Sequence, residues 1–423
     1  MSLSRPRVLV IAEAANPEWV SVPLVGWSLS AALHRQTDVH IVTQIRNRDA
    51  FLRAGMVEGQ DFTAIDSEAV AAPMYRMAEV LRMGRGRGWT TVTAIAALSY
   101  PYFERLVWKR FGDDIRAKRF DIIHRVTPLS PTTASTLAPK VAAAGVPFVL
   151  GPLNGGVPWP KGFEAERRRE REWLSYIRGI YKVNPQLRRT HAAAALIIAG
   201  SRHTASEIPK RFQHKVVWLP ENAIDPARFN LIAPQDTTLP LRACFVGRLV
   251  PYKGPHILLD AIAPFARSGQ MVLDIVGEGP MLPALTAQAD SLGITDNVRV
   301  YGHLPHQQVQ QILAAANLLT FPSIREFGGG VVLEAMALGV VPMVIDYAGP
   351  GELVTTETGF AIPLGTRQQI AARMEQALAG VLRDPSQLTK MAATARQMVL
   401  DHYTWDAKAA KIIDMYRDVL AAR

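Results

Sequence analysis

FPSIREFGGGVVLEAMALG, residues 321–339, sets two glutamates, Glu326 and Glu334, on either side of three consecutive glycines. The apolar run 318–321 suits a buried strand, and 331–338 suits a short helix that Gly339 would stop. Gly328, Gly329 and Gly330 then fall in the turn where strand becomes helix. Without Cβ atoms a ligand can approach the backbone there, and the unpaired N–H groups of the new helix favour negative charge or hydroxyl oxygens. Glu334 is expected in the first turn of that helix, where its carboxylate can accept hydrogen bonds from a vicinal diol. Taken alone, the stretch reads equally well as a turn whose glycines serve only the fold, flanked by two solvated glutamates.

Outward from this segment, apolar runs alternate with helical stretches. Strands are expected at 8–12, 39–43, 122–124, 148–151, 196–199 and 216–219, then at 244–246, 273–276, 298–301, 318–321 and 342–345. This is the rhythm of parallel sheets with crossover helices. A chain of 423 residues is too long for one ordinary core. The polar, proline-bearing stretch 230–240 reads as the linker between an N-terminal domain, 1–229, and a C-terminal domain, 241–402. The closing segment 403–423 is helical by period.

Three further motifs accompany the glutamate pair: GRLVPYKG at 247–254, VGEGP at 276–280 and YAGPGELV at 347–354. With them the chain resembles glycosyltransferase family 4, the retaining, sugar-nucleotide-dependent enzymes of the GT-B fold. The resemblance is specific in the C-terminal half and looser in the N-terminal half. It implies an α/β fold of two facing Rossmann-like, doubly wound domains enclosing an interdomain cleft, with the last helix crossing back to the N-terminal domain. Ligands of such sheets bind outside the carboxyl ends of the strands.

Moving a sugar from a nucleoside diphosphate leaves a dianionic leaving group, and stabilising it is the main demand on the protein. Arg248 and Lys253 follow the strand at 244–246, and Gly254 with Pro255 would open the next helix. Arginine can bridge two phosphate oxygens while lysine supplies a mobile point charge. The resemblance assigns Glu334 to the ribose hydroxyls, Glu326 to the transferred sugar, and the backbone amides of Gly328 and Gly329 to sugar hydroxyls. Phe327-Gly328-Gly329-Gly330 stands where many members have Gly-Phe-Gly. Gly277 matches a tight turn after a strand, and Gly302, His303 and Leu304 match the loop whose backbone reads the base; a surface histidine is the plainer reading of His303 itself.

On the acceptor side, His124 is expected to end a strand and point into the cleft, where relatives often carry a histidine near the transferred sugar. A satisfied core histidine is the alternative. Asn154, Gly155 and Gly156 form a second glycine-rich loop, and Asn16 follows the first strand without the paired glycines that many relatives carry. Catalysis is thus expected from Glu326, His124, Arg248 and Lys253, with the nucleotide sugar as co-substrate and no other cofactor. There is no Asp-x-Asp pair, no HExxH and no clustered Cys/His set, so a metal-independent reaction is expected. The lone Cys244 lies in a strand-like run and reads as core.

The formal charge of +10 sits in the N-terminal half, and much of it lies between residues 82 and 189, where arginines alternate with aromatics. A membrane surface or lipid-linked acceptor fits such a face, as does a solvated helix; no nucleic-acid motif accompanies it. No apolar run is long enough to span a bilayer, and the apolar start is too short for a signal peptide, so a cytoplasmic protein, peripheral at the inner membrane face, is expected. The leading expectation is hexose transfer to a lipid-linked, polysaccharide or secondary-metabolite hydroxyl. Its rivals are a nucleotide-sugar epimerase or hydrolase of the same fold, and a non-catalytic sugar-nucleotide-binding protein at a membrane surface.

Overall fold

The structure, a computed structural model, describes residues 5–73, 89–160, 162–164, 184–234 and 236–423, with backbone alone over 89–98. The chain divides into two compact units: Met1–Gly156, Arg167–Glu221 and Trp405–Arg423 form the first, and Val157–Glu166 and Asn222–Thr404 the second.

The first unit is built on seven parallel strands: β1 (Arg7–Ala12), β2 (Asp38–Gln44), β3 (Phe62–Ile65), β4 (Ile122–Thr127), β5 (Phe148–Leu153), β6 (Ala194–Ala199) and β7 (Val216–Trp218). Their order is β3-β2-β1-β4-β5-β6-β7. Successive side chains of a strand point to opposite faces, and β1 shows the result. Val8, Val10 and Ala12 pack with Leu29, Ala32 and Leu33 of the helix Val22–Gln36 and with Ile412 and Tyr416 of the helix Trp405–Ala421. Leu9 and Ile11 face Phe103, Val107 and Phe111 of the helix Trp89–Arg116. The central strands are thus covered on both sides, which is why they read as continuous apolar runs.

The second unit holds six parallel strands: β8 (Leu241–Val246), β9 (Met271–Val276), β10 (Val298–Gly302), β11 (Leu318–Phe321), β12 (Val341–Asp346) and β13 (Phe360–Pro363). Their order is β10-β9-β8-β11-β12-β13. Every strand therefore ends on the same edge, and the order reverses between β8 and β11. Cys244 is fully buried in β8, and burial pushes its thiol well above the ordinary range, so it is inert core.

The stretch read as a linker packs within the second unit. The Ala233 amide donates to the Leu338 carbonyl at 2.7 Å and Asn317 Nδ2 to the Asp236 carbonyl at 2.6 Å. Phe229 and Ala233 are buried in that unit's core. Of the basic tracts, 82–88 and 166–182 lie outside the described residues. In the part that is described, the Trp108 ring has the Arg116 guanidinium at 5.2 Å and the Lys140 ammonium at 5.5 Å, so some of this charge is tied to aromatic faces. Among the described residues no helix is long and apolar enough to cross a membrane.

Candidate functional site

The carboxyl edge of the second sheet gathers the motifs. At the end of β8 the Gly247 amide donates to the Val276 carbonyl at 2.9 Å, and at the end of β9 the Gly277 amide donates to the Gly302 carbonyl at 2.8 Å. Gly277 has φ 144°, and a Cβ there would lie 1.9 Å from the Gly247 carbonyl oxygen. Two backbones thus touch where any side chain would intrude, so this glycine is required by the fold itself. Leu249 and Met281 extend the lacing, with the Leu249 amide on the Glu278 carbonyl at 2.9 Å and the Met281 amide on the Leu249 carbonyl at 3.1 Å.

Past Leu249 the chain makes a single 3-10 turn, Pro251–Lys253, and Gly254 in the left-handed region opens the helix Pro255–Arg267. That turn carries Lys253 onto the carboxylate of Glu326, which follows β11, and the two form an ion pair. The Lys253 ammonium also lies 4.9 Å from the centre of the Phe321 ring. Arg248, in the same loop, is exposed. The sheet edge thus brings Lys253 and Glu326 together at the reversal of strand order.

Gly329, at φ 62°, caps the helix Gly330–Ala337 and, lacking a side chain, makes no side-chain cap. The first amides of a helix have no acceptor one turn back within it. A Cβ on Gly349 would lie 2.2 Å from the Phe327 carbonyl, so the glycine-rich turn abuts the turn after β12. Glu334 departs from expectation. The helix opens at Gly330, one residue early, and Glu334 is its fifth residue, in the second turn rather than the first. Because Cα–Cβ bonds tilt toward a helix N-terminus, Glu334 still leans over Gly330. Its Oε1 lies 3.5 Å from His306 Nε2, a partner that sequence reasoning missed. His303 is exposed, and Leu304 packs partly against the core.

A short strap, absent from the sequence reading as a donor-side element, belongs to this unit. Arg325 Nε donates to the Val157 carbonyl at 3.2 Å, with its guanidinium 5.1 Å from the Trp159 ring and 5.4 Å from the Phe327 ring. Tyr347 Oη donates to the Pro158 carbonyl at 2.9 Å. The signal was there in Arg325, a charged residue in an otherwise apolar approach to Glu326.

In the first unit the predicted residues make contacts within the fold. His124 lies in the interior of β4, which continues to Thr127, and its side chain is fully buried. Nδ1 meets Tyr416 Oη and Nε2 meets the Gly151 carbonyl, both at 2.6 Å. Of the two readings, the one in which it ends a strand and points into the cleft is corrected in favour of its alternative: it is a satisfied core histidine, its apolar neighbours on β4 sharing the same burial. Asn16 is buried, with Nδ2 3.3 Å from Asn47 Oδ1 and its amide on the Pro23 carbonyl. Asn154 Oδ1 accepts from the Gly155 amide at 2.8 Å, while Asn154 Nδ2 is buried without a hydrogen-bond partner among the described residues. Gly155 and Gly156 both have positive φ, at 138° and 78°.

Comparison with known proteins agrees with this geometry. Residues 235–398 match the family described as "Glycosyl transferases group 1". The chain is 32% identical over 200 residues to a glycogen synthase of Mycobacterium tuberculosis, covering 46% of this chain and 47% of that protein. It is 29% identical over 257 residues to a D-inositol 3-phosphate glycosyltransferase of Streptomyces avermitilis, covering 55% and 53%. It thus spans about half the length of the curated relatives it matches. Sucrose-phosphate synthase from Thermosynechococcus elongatus shares its fold at a TM-score of 0.62, 16% identity, covering 99% of this chain and 100% of that one. Anabaena HepE, solved in complex with UDP, does so at 0.60, 15% identity, 99% and 100%. Residues 235–398 thus match the model of the glycosyl transferases group 1 family, in a chain whose two parallel-sheet units have the GT-B fold.

Proposed function

We propose that the protein is a retaining glycosyltransferase that moves a hexose from a nucleoside diphosphate sugar to a hydroxyl of a lipid-linked, polysaccharide or secondary-metabolite acceptor, without a metal ion. The observation that carries this reading is the Lys253–Glu326 pair at the strand reversal, where a doubly wound sheet receives its ligand. Lys253 and Arg248 neutralise the diphosphate as it departs, and the helix-start amides at Gly330 add partial positive charge. Glu326 accepts from hydroxyls of the transferred sugar, and Glu334 from the ribose. In the transfer the bond from the anomeric carbon to the phosphate oxygen breaks. The acceptor oxygen bonds to that carbon on the same face, and its proton passes to the departing phosphate. The basic N-terminal half suits an acceptor at an anionic surface.

The test is thermal stabilisation by UDP, GDP, dTDP and ADP, with and without EDTA. A ligand bound only by the folded state at 100 times its Kd stabilises by about 2.7 kcal/mol. One nucleotide is expected to raise the melting temperature with EDTA present. No response to any of the four overturns the reading; a response abolished by EDTA overturns its metal-independent part. Release of free sugar in place of transfer, when acceptor is supplied, identifies a hydrolase instead.

A further inference from the structure

We infer that His306, held in one tautomer by Gln310, is a positioning residue for Glu334 and so for recognition of the donor ribose; this rests on the donor site proposed above. His306 opens the helix His306–Ala314, directly after the loop that follows β10. Gln310, one turn later and buried, brings its Nε2 to 3.1 Å from His306 Nδ1. With the Gln310 amide nitrogen turned toward it as a donor, Nδ1 accepts. The neutral ring then carries its proton on Nε2, the atom that faces Glu334 Oε1 at 3.5 Å. Phe229 packs edge-on against the imidazole, with centroids 5.5 Å apart, and limits its rotation.

The consequence for Glu334 is directional. At 3.5 Å the contact is electrostatic rather than a formed hydrogen bond, so a small shift on ligand binding completes it. With Oε1 drawn toward an N–H, the carboxylate plane is fixed and Oε2 is left to accept from a hydroxyl. A carboxylate without that neighbour turns about its terminal torsion, which is broad. Gln310, His306 and Glu334 thus form a relay in which the buried amide sets the proton, the proton sets the carboxylate, and the carboxylate reads the ribose.

The experiment compares binding of UDP, GDP, dTDP and ADP with that of their 2′,3′-dideoxy counterparts, by calorimetry on the full chain. The wild type is expected to prefer the nucleotide with the hydroxyls, by roughly tenfold or more. Glu334→Ala should abolish the preference. His306→Ala and Gln310→Leu should each shrink it several-fold while leaving dideoxynucleotide affinity and the unliganded melting temperature unchanged, and His306→Gln, which keeps a donor, should restore part of it. A role in folding alone moves melting temperature but not the preference. If Glu334→Ala abolishes the preference and neither His306→Ala nor Gln310→Leu alters it, the relay is refuted and the donor site stands. If Glu334→Ala also leaves it intact, or no nucleotide binds the wild type, the donor site falls and the relay with it.

Discussion

Lys253 and Glu326 form an ion pair between the loops that leave β8 and β11, strands that lie side by side although β9 and β10 separate them in the chain. Both side chains are largely withdrawn from solvent, at 15% and 22% exposure. An ammonium and a carboxylate held this way present opposite charges to one ligand, which suits a molecule with a phosphate at one end and hydroxyls at the other.

Removing these charges tests the site directly. Lys253→Ala, Arg248→Ala and Glu334→Ala are each expected to lower donor turnover or binding more than tenfold, about 1.4 kcal/mol or more in the barrier or affinity. Steady-state kinetics on each variant checks this, and wild-type turnover in all three rejects the assignment.

The glycines of the same edge separate steric from conformational requirements. Gly277→Ala places a methyl 1.9 Å from the Gly247 carbonyl at φ 144° and is expected to cost about 2 kcal/mol or more. Gly302→Ala, at φ 69° with no atom within 4 Å of the added carbon, meets only backbone strain, about 1 kcal/mol. Urea denaturation of both variants checks the ranking.

Two buried histidines make stability depend on pH. Burial, helped by the nearby Arg125, lowers the His124 and His191 rings to about 4. Their unfolded value is about 6.5, so the unfolded chain binds more protons between these limits. The stability they contribute is complete above pH 6.5 and is lost as pH falls toward 4, at up to about 1.4 kcal/mol per pH unit for each ring. Unfolding free energies measured across that range should fall with acid, and less steeply in His124→Gln.

Arg325 secures the strap at Val157 through its hydrogen bond and two aromatic faces. Arg325→Met keeps the bulk but leaves the Val157 carbonyl without this donor, and is expected to destabilise by about 1–3 kcal/mol. Amide exchange should quicken around residues 157–160 before it changes elsewhere in the second unit. Unchanged exchange there means that the strap is held by other contacts.

The sheets were legible because strands covered on both faces are apolar throughout, as at 318–321. Two strands escaped notice, Phe62–Ile65 and Phe360–Pro363. Each is a four-residue edge strand with one neighbour, too short for a period to emerge, and the second carries a proline. Lys253 and Glu326 were named separately, since only the strand order brings them together. His124 misled because a histidine near the end of an apolar run looks the same whether it faces solvent or Tyr416, which lies 292 positions away. His306 left a trace in the sequence, a histidine directly after the proline that follows the loop read for the base, but its partner Glu334 is fixed only by the packing of two helices.

The Tyr416–His124 hydrogen bond has a consequence for biosynthesis. The helix Trp405–Ala421 follows the whole second unit in the chain, yet Ala409, Ile412, Ile413 and Tyr416 complete the core around β1. The nascent first unit therefore waits, with an apolar face bare and an imidazole unanswered, while the entire second unit is being made. For that interval the early half of the protein is a client for chaperones, and a premature stop between residues 222 and 404 yields a polypeptide that cannot finish its opening unit.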